Sequence, residues 1–102
     1  MARVIPTQAA RADLVYLREY SIEQFGSDIA DEYFLGFEVA FNRLAEFPLS
    51  GAARAELGKD IRCLVHRRHR IFYTVQGETV LIIRIVHHAM DPRQALKGAG
   101  HD

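Results

Sequence analysis

Hydrophobic side chains recur at helical spacing along two stretches in the first half of the chain. The first stretch predicts a helix capped by Thr7 and ended by Gly26, and the second predicts a longer helix stopped by Pro48. The inward positions are Ala10, Asp13, Leu14, Leu17 and Tyr20 in the first helix, and Ala30, Tyr33, Phe34, Phe37, Ala40, Phe41, Leu44 and Phe47 in the second. Because only Gly26 and its neighbours separate the helices, they should form an antiparallel hairpin.

In the second half of the chain the hydrophobic period changes to two, which is typical of strands. Residues 61–66 and 70–75 alternate in this way, and the run 80–86 is apolar on both faces, as expected of a central strand. The tripeptide Gln76-Gly77-Glu78 predicts a hairpin turn, because Gly77 is free to adopt positive φ. These residues together predict a three-stranded meander.

The remaining residues predict short elements. Residues 3–5 form a strand ended by Pro6, residues 49–60 form a surface loop, and residues 93–98 form one helical turn. The predicted fold is therefore β-α-α-β-β-β, of the α+β class, with the helical hairpin packed on one face of a small, mainly antiparallel sheet. The opposite face should stay at least partly open. We expect a single domain over residues 1–97 and a frayed tail at 98–102.

Composition and charge restrict the class of protein. The chain has 102 residues, of which 49% are apolar and 25% charged, as in one globular domain. Its start lacks the apolar run of a signal peptide, no stretch is long enough to span a bilayer, and Cys63 is the single cysteine. We therefore expect a cytoplasmic protein without an intrachain disulfide.

The charges are distributed unevenly along the chain. Residues 1–50 carry four Lys/Arg and eight Asp/Glu, whereas residues 51–102 carry nine and five. This asymmetry indicates either an anionic partner for the basic half or two halves that attract each other within one fold. The densest basic segment, residues 62–70, is either a surface for an acidic segment or phosphate, or a solvated turn.

Arg84 and the histidines and cysteine of the second half each allow a functional and a structural interpretation. Arg84 lies inside an apolar strand, where an isolated buried charge is costly. Its guanidinium should therefore reach the open face of the sheet, a ligand, or a carboxylate such as that of Asp13 or Glu38. Cys63 lies on the same face of its predicted strand as the apolar positions, so it is predicted to be a buried, inert thiol. His87 and His88 point to opposite faces of a strand, no Cys/His pair has zinc-site spacing, and no glycine-rich phosphate loop is present. We expect no metal and no cofactor.

Several short motifs mark the predicted elements in order. They are Ala10-x-x-Asp13-Leu14-x-x-Leu17-x-x-Tyr20, Phe47-Pro48 followed by Gly51, Ile61-Arg62, Arg70-Ile71-Phe72-Tyr73-x-Val75, Val80-x-Ile82-x-Arg84-x-Val86-His87 and Met90-Asp91. Their order and spacing resemble the ParE/RelE toxin superfamily of type II toxin–antitoxin systems, and in particular its ParE-type toxins. The resemblance extends from about Val4 to Leu96.

The resemblance implies a toxin that is neutralised by a cognate antitoxin, whose C-terminal segment is acidic or amphipathic, in a hetero-oligomer. For a ParE-type toxin the implied target is DNA gyrase, without catalysis. For a RelE-type relative it is the ribosome and its mRNA, cut by a ribonuclease that would here use Arg62, Arg70, Arg84 and His87. The chain has no tyrosine after its last strand, so the nuclease signature is incomplete and the ParE type is favoured. A third interpretation is an inactive relative that only binds its antitoxin and regulates transcription with it.

The candidate site is accordingly a partner-binding surface rather than an active site. Its predicted residues are Arg62, Arg67, Arg68, Arg70, Tyr73, Arg84, His87 and Met90. Arginine and aromatic side chains are enriched at protein interfaces, which favours this assignment.

Overall fold

A helical hairpin packs on a five-stranded mixed sheet in the computed structural model, which describes residues 1–97. The elements are β1 (Arg3–Pro6), α1 (Gln8–Phe25), α2 (Ser27–Glu46), β2 (Ala52–Ala53), a 3-10 turn (Ala55–Leu57), β3 (Arg62–His66), β4 (His69–Gln76), β5 (Thr79–His87) and α3 (Pro92–Leu96). The strand order is β1-β5-β4-β3-β2, with β1 parallel to β5 and the other neighbours antiparallel. The predicted fold class is confirmed, and the tail expected at 98–102 lies outside the described residues.

Local sequence signals set the ends of the hairpin. The Thr7 Oγ1 atom accepts a hydrogen bond from the backbone N–H of Ala10 and donates one to the carbonyl of Ile83, so it caps α1 and joins it to β5. Gly26 adopts φ +87° between the helices, a conformation that favours glycine. The predicted antiparallel helical hairpin is therefore confirmed, and none of the helices in residues 1–97 is long and apolar enough to cross a bilayer.

The main core lies between the hairpin and the sheet. Its buried members are Ala10, Leu17, Phe37, Ala40, Leu44, Ile71, Tyr73, Val80, Ile82 and Ile85. Two positions predicted to face inward, Tyr20 and Phe47, are exposed instead, and Phe47 directly follows the last residue of α2.

A second, smaller core fills much of the sheet face that we expected to be open. It comprises Ile61, Cys63, Phe72, Ile83, Val86, Ala95 and Leu96, with Leu57 packed against it. The cover comes from α3 and from the 3-10 turn within the predicted loop 49–60, which also supplies the unpredicted strand β2. Val65 remains 62% exposed, so the face is open only towards the β3–β4 turn.

A bulge in β5 changes which residues face each core. Phe72 of β4 lies opposite Arg84 and Tyr73 lies opposite Ile82, which leaves Ile83 as the extra residue. The next hairpin-facing residue after Ile82 is consequently Ile85, three positions on instead of two. Without the bulge, the alternation of side chains along β5 would direct Arg84 into the main core.

Candidate functional site

An open cleft of about 690 Å³ lies where the α1–α2 junction approaches the turn between β3 and β4. It is lined by Tyr20, Phe25, Tyr33, Arg67, Arg68, His69 and His87. A narrower groove of about 210 Å³ shares His69 and His87 with this cleft and continues along α1 past Tyr16 and Met90 to Arg84. The cleft and the groove together form one depression beside α1.

The wall of the depression is aromatic and exposed. Tyr16 is 71% exposed and Phe25 60% exposed, and Tyr20 and Met90 are also exposed. The rings of Tyr16 and Tyr20 stack with their centroids 6.4 Å apart. Clustered exposed apolar side chains beside polar residues are characteristic of interaction sites, since folding alone gives no reason to leave them in water.

The floor of the cleft is a set of aromatic rings that pack edge-on or tilted against one another. The Tyr33 hydroxyl lies 2.5 Å from His69 Nδ1, and the His66 ring packs edge-on against Phe37 with centroids 4.7 Å apart. Gly36 permits this packing, because a Cβ atom there would lie 2.3 Å from Cε1 of His66. The Nε2 atom of His66 is buried and has no hydrogen-bond partner among residues 1–97.

Burial keeps these rings neutral. Burial, together with the smaller effects of the neighbouring His87, His66 and His88, lowers the pKa of His69 to about 4. Burial also lowers the pKa of His66, and it raises the pKa of Tyr33 against the opposing effect of Arg67. At neutral pH the floor is therefore an uncharged aromatic surface.

The rim of the cleft is cationic. Arg67 and Arg68 form the two-residue turn between β3 and β4, and both side chains are exposed. Arg67 has φ +53°, which is uncommon outside glycine, and its guanidinium lies 6.0 Å from the centroid of the Tyr33 ring. Neither arginine forms an ion pair within residues 1–97.

Arg84 is engaged inside the protein. Its Nε and Nη2 donate to the two carboxylate oxygens of Asp13 at 2.7 and 2.8 Å, and its Nη1 donates to the Ala95 carbonyl at 2.6 Å. Asp13 Oδ2 also accepts from the backbone N–H of Ile85, on the edge of β5 beyond the end of β1. Of the two partners considered, Asp13 is thus the one used, and Arg84 joins α1, β5 and α3.

Arg62 and Tyr73 are also engaged in internal bonds. The Tyr73 hydroxyl donates to the Pro48 carbonyl at 2.7 Å and accepts from the Gly51 N–H at 2.9 Å, while Arg62 donates to the Gly51 carbonyl at 2.7 Å. Tyr73 is fully buried, so the expectation that it contacts a partner is corrected to an internal role at the end of α2. A Cβ at position 51 would lie 2.6 Å from the Tyr73 hydroxyl oxygen, which explains the glycine.

The other predicted residues divide between the two faces of the sheet. Arg67, Arg68, His87 and Met90 gather along the depression, whereas Arg70 pairs with Val86 and lies on the α3 side. The residues that a ribonuclease would use, Arg62, Arg70, Arg84 and His87, are consequently not brought together. No group of three or more His, Cys, Asp or Glu within residues 1–97 is arranged to hold a metal ion.

Four residues of the cleft were not predicted to belong to the site: Tyr20, Phe25, Tyr33 and His69. The first three were assigned to helix packing or helix ends, and His69 was counted only with the basic segment. These residues could have been predicted from the concentration of aromatic residues near the α1–α2 junction, because the ends of two helices cannot bury every ring.

The chain is thus a small α+β domain with an exposed aromatic and cationic depression beside α1. Residues 4–92 match the family described as ParE toxin of type II toxin–antitoxin system, parDE. The chain therefore belongs to the ParE toxin family.

Two relatives agree with this assignment, and a solved structure shares the fold. The chain is 32% identical to Toxin ParE1 of Mycobacterium tuberculosis over 88% of its own length and 93% of the relative. It is 31% identical to Toxin ParE3 of Caulobacter vibrioides over 84% and 86%. A chain from the chromosomal ParDE TA system of P. aeruginosa has the same fold, with a TM-score of 0.73 at 22% identity over 85% of this chain and 96% of that one.

Proposed function

We propose that this ParE-family toxin is held inactive by an antitoxin whose acidic, amphipathic segment docks in the depression beside α1. The proposal rests on an exposed aromatic wall that lies beside two exposed arginines, neither of which forms an ion pair within residues 1–97. A helix or extended segment with an apolar stripe and flanking carboxylates would complement both features. Gyrase as the target is part of the same proposal and rests on the family alone.

Arg67 and Arg68 provide the test of antitoxin docking. The chain is co-expressed with the protein encoded by the adjacent reading frame, and the complex is captured through a tag on either partner. Replacing both arginines by Ala should weaken the complex at least about tenfold and reduce its salt dependence, because exposed ion pairs are screened by salt. Arg43→Ala, at the far end of α2, is the matched control and should leave the affinity unchanged.

The target is tested with the toxin alone. Purified toxin should inhibit DNA supercoiling by gyrase, and cells that express it should form filaments while their mRNA stays intact. Rapid cleavage of mRNA on ribosomes, abolished by Arg70→Ala and His87→Ala, would instead establish the RelE-type nuclease. The dispersal of Arg62, Arg70, Arg84 and His87 over both sheet faces disfavours that alternative. Normal growth with a stable antitoxin complex would identify an inactive relative.

A further inference from the structure

The histidines at the floor and rim of the cleft form a cluster without a carboxylate. The rings of His69 and His87 are 5.6 Å apart between centroids, and those of His87 and His88 are 4.4 Å apart. His66 of β3 lies next to the same floor through Tyr33, at 5.1 Å between ring centroids. No Asp or Glu within residues 1–97 forms an ion pair with any of these histidines.

Two kinds of titratable group surround His69. The first are other histidines, whose protonated forms would oppose the protonation of His69, and the second is the Tyr33 hydroxyl, which is uncharged at neutral pH. From α2 it meets the Tyr33 hydroxyl, from β3 His66, from β5 His87, and from the segment after β5 His88. Tyr20 of α1 and the arginines of the β3–β4 turn complete the cleft. Among the residues that line the cleft, a protonated His69 would meet only cations and aromatic rings, and the one carboxylate that lines the adjoining groove, that of Asp13, is bonded to Arg84.

We propose that Arg67, Arg68, His69 and His87, which line one end of the depression, form a carboxylate-binding subsite in which His69 takes up a proton when an acidic side chain docks. This inference rests on the proposed function, since the carboxylate is that of the antitoxin segment. A carboxylate placed among these groups favours the charged form of His69, and by linkage the bound proton then strengthens binding of the carboxylate. The affinity for an acidic segment therefore rises as the pH falls.

A carboxylate fits this subsite better than the phosphates of a nucleic acid. The chain has no net charge and a pI near 7.0, whereas nucleic-acid surfaces carry an extended basic stripe. The exposed basic groups occupy one end of the depression, Arg84 is bonded to Asp13 at the other end, and the exposed wall between them is largely aromatic and apolar. Such a surface matches a protein segment that has carboxylates at one end and apolar side chains along its length.

The test uses the full chain and a synthetic peptide of about twenty residues, with Leu at helical spacing and Glu elsewhere. An identical peptide with Gln in place of Glu is the matched control. Calorimetry should show the Glu peptide binding about tenfold more tightly at pH 5.5 than at pH 7.5, which corresponds to one pKa unit of linkage. Titrations in two buffers of different ionisation enthalpy should show net proton uptake with the Glu peptide only.

Variants separate the cationic contribution from the titrating one. The variant His69→Gln should lose most of the pH dependence, because glutamine cannot take up the proton. The double variant Arg67→Ala and Arg68→Ala should lose affinity at both pH values, and Arg43→Ala should resemble the unmodified chain.

Three results would overturn the subsite: equal affinity for the Glu and Gln peptides, an affinity that does not change between pH 7.5 and 5.5, or tighter binding of a ten-residue oligouridylate than of the Glu peptide. The peptide measurement is independent of toxicity. Harmless expression in cells together with proton-linked peptide binding would contradict the proposed toxin function and retain the subsite.

Discussion

Arg84 and Arg67 lie along the same depression but differ in what surrounds them. Arg84 and Asp13 have side chains only 21% and 14% exposed, and the pair adds a backbone carbonyl and a backbone N–H to its bonds. Arg67 is exposed, stands over the Tyr33 ring and has no ion pair within the described chain. A cation that is fully bonded internally stabilises the fold, whereas one without a counter-charge is available to a partner.

The largest expected effect comes from breaking the internal pair. Asp13→Ala leaves Arg84 partly buried without a counter-charge and deprives the Ile85 N–H of its acceptor. We expect the free energy of unfolding, measured with urea, to fall by about 3 kcal/mol. Asp31→Ala removes the exposed partner of Arg18 and should cost less than about 1 kcal/mol.

A second substitution sharpens this result. Adding Arg84→Met to Asp13→Ala removes the orphaned charge, so the double variant should recover at least half of the lost stability. A double variant as unstable as Asp13→Ala would contradict the view that the unpaired cation causes the loss.

The second-largest expected effect is a loss of folding stability at acidic pH, which is caused by His69 at the floor of the cleft. The pKa of His69 is about 4 in the folded protein, against about 6.5 for an unfolded histidine. Between these values the unfolded state binds more protons, so the free energy of unfolding falls as the pH decreases from about 6.5 to 4. We expect a contribution of about 2 kcal/mol after allowing for the partial solvent exposure of His69.

His69→Gln tests this contribution, because glutamine does not titrate and can still bond to Tyr33. Urea unfolding from pH 7.5 to 4 should show a flatter profile for this variant. His88→Gln removes an exposed histidine of the same cluster and should retain the slope. A parallel profile for His69→Gln and the unmodified chain would place the acid sensitivity elsewhere.

The parts of the fold that were predictable from sequence are those with a regular hydrophobic period. The stripe through Phe37 and Leu44 defined α2, and the turn at Gly77 defined the β4–β5 hairpin, because each signal is local. The bulge at Ile83 was not predictable, since a strand that is apolar on both faces has no alternation to break. β2 consists of two alanines and carries no strand signal of its own.

The candidate site was predicted only in part, for a related reason. Arg67, Arg68, His87 and Met90 were found because cationic and resemblance motifs are visible along the sequence. The paired state of Arg84 was left open, because its bond to Asp13 joins residues 71 positions apart. Tyr20 and Phe25 join the cleft through the packing of α1 against β5, which no local pattern reports.

Tyr73→Phe provides a smaller test of the internally bonded group. The variant leaves the Gly51 N–H and the Pro48 carbonyl without their shared partner, at a cost of about 1.5 kcal/mol. Because Tyr73 is buried away from the depression, binding of the acidic peptide should not change. If Tyr73→Phe instead lowered the peptide affinity and left the stability unchanged, Tyr73 would belong to the partner-binding surface.

The smallest effect is expected at Arg67, and its sign is opposite. Arg67→Gly relieves the positive φ at this turn position and should raise the free energy of unfolding by about 0.5 kcal/mol. The matched control Arg68→Gly gains no such relief and should lower it by about 0.5 kcal/mol, because glycine makes the unfolded chain more flexible. Both variants should bind the acidic peptide more weakly, so Arg67→Gly should be more stable and yet a poorer binder. If Arg67→Gly lowered the stability instead, the contact of Arg67 with Tyr33 would outweigh the backbone strain. Arg67 would then, like Arg84, stabilise the fold through an internal contact.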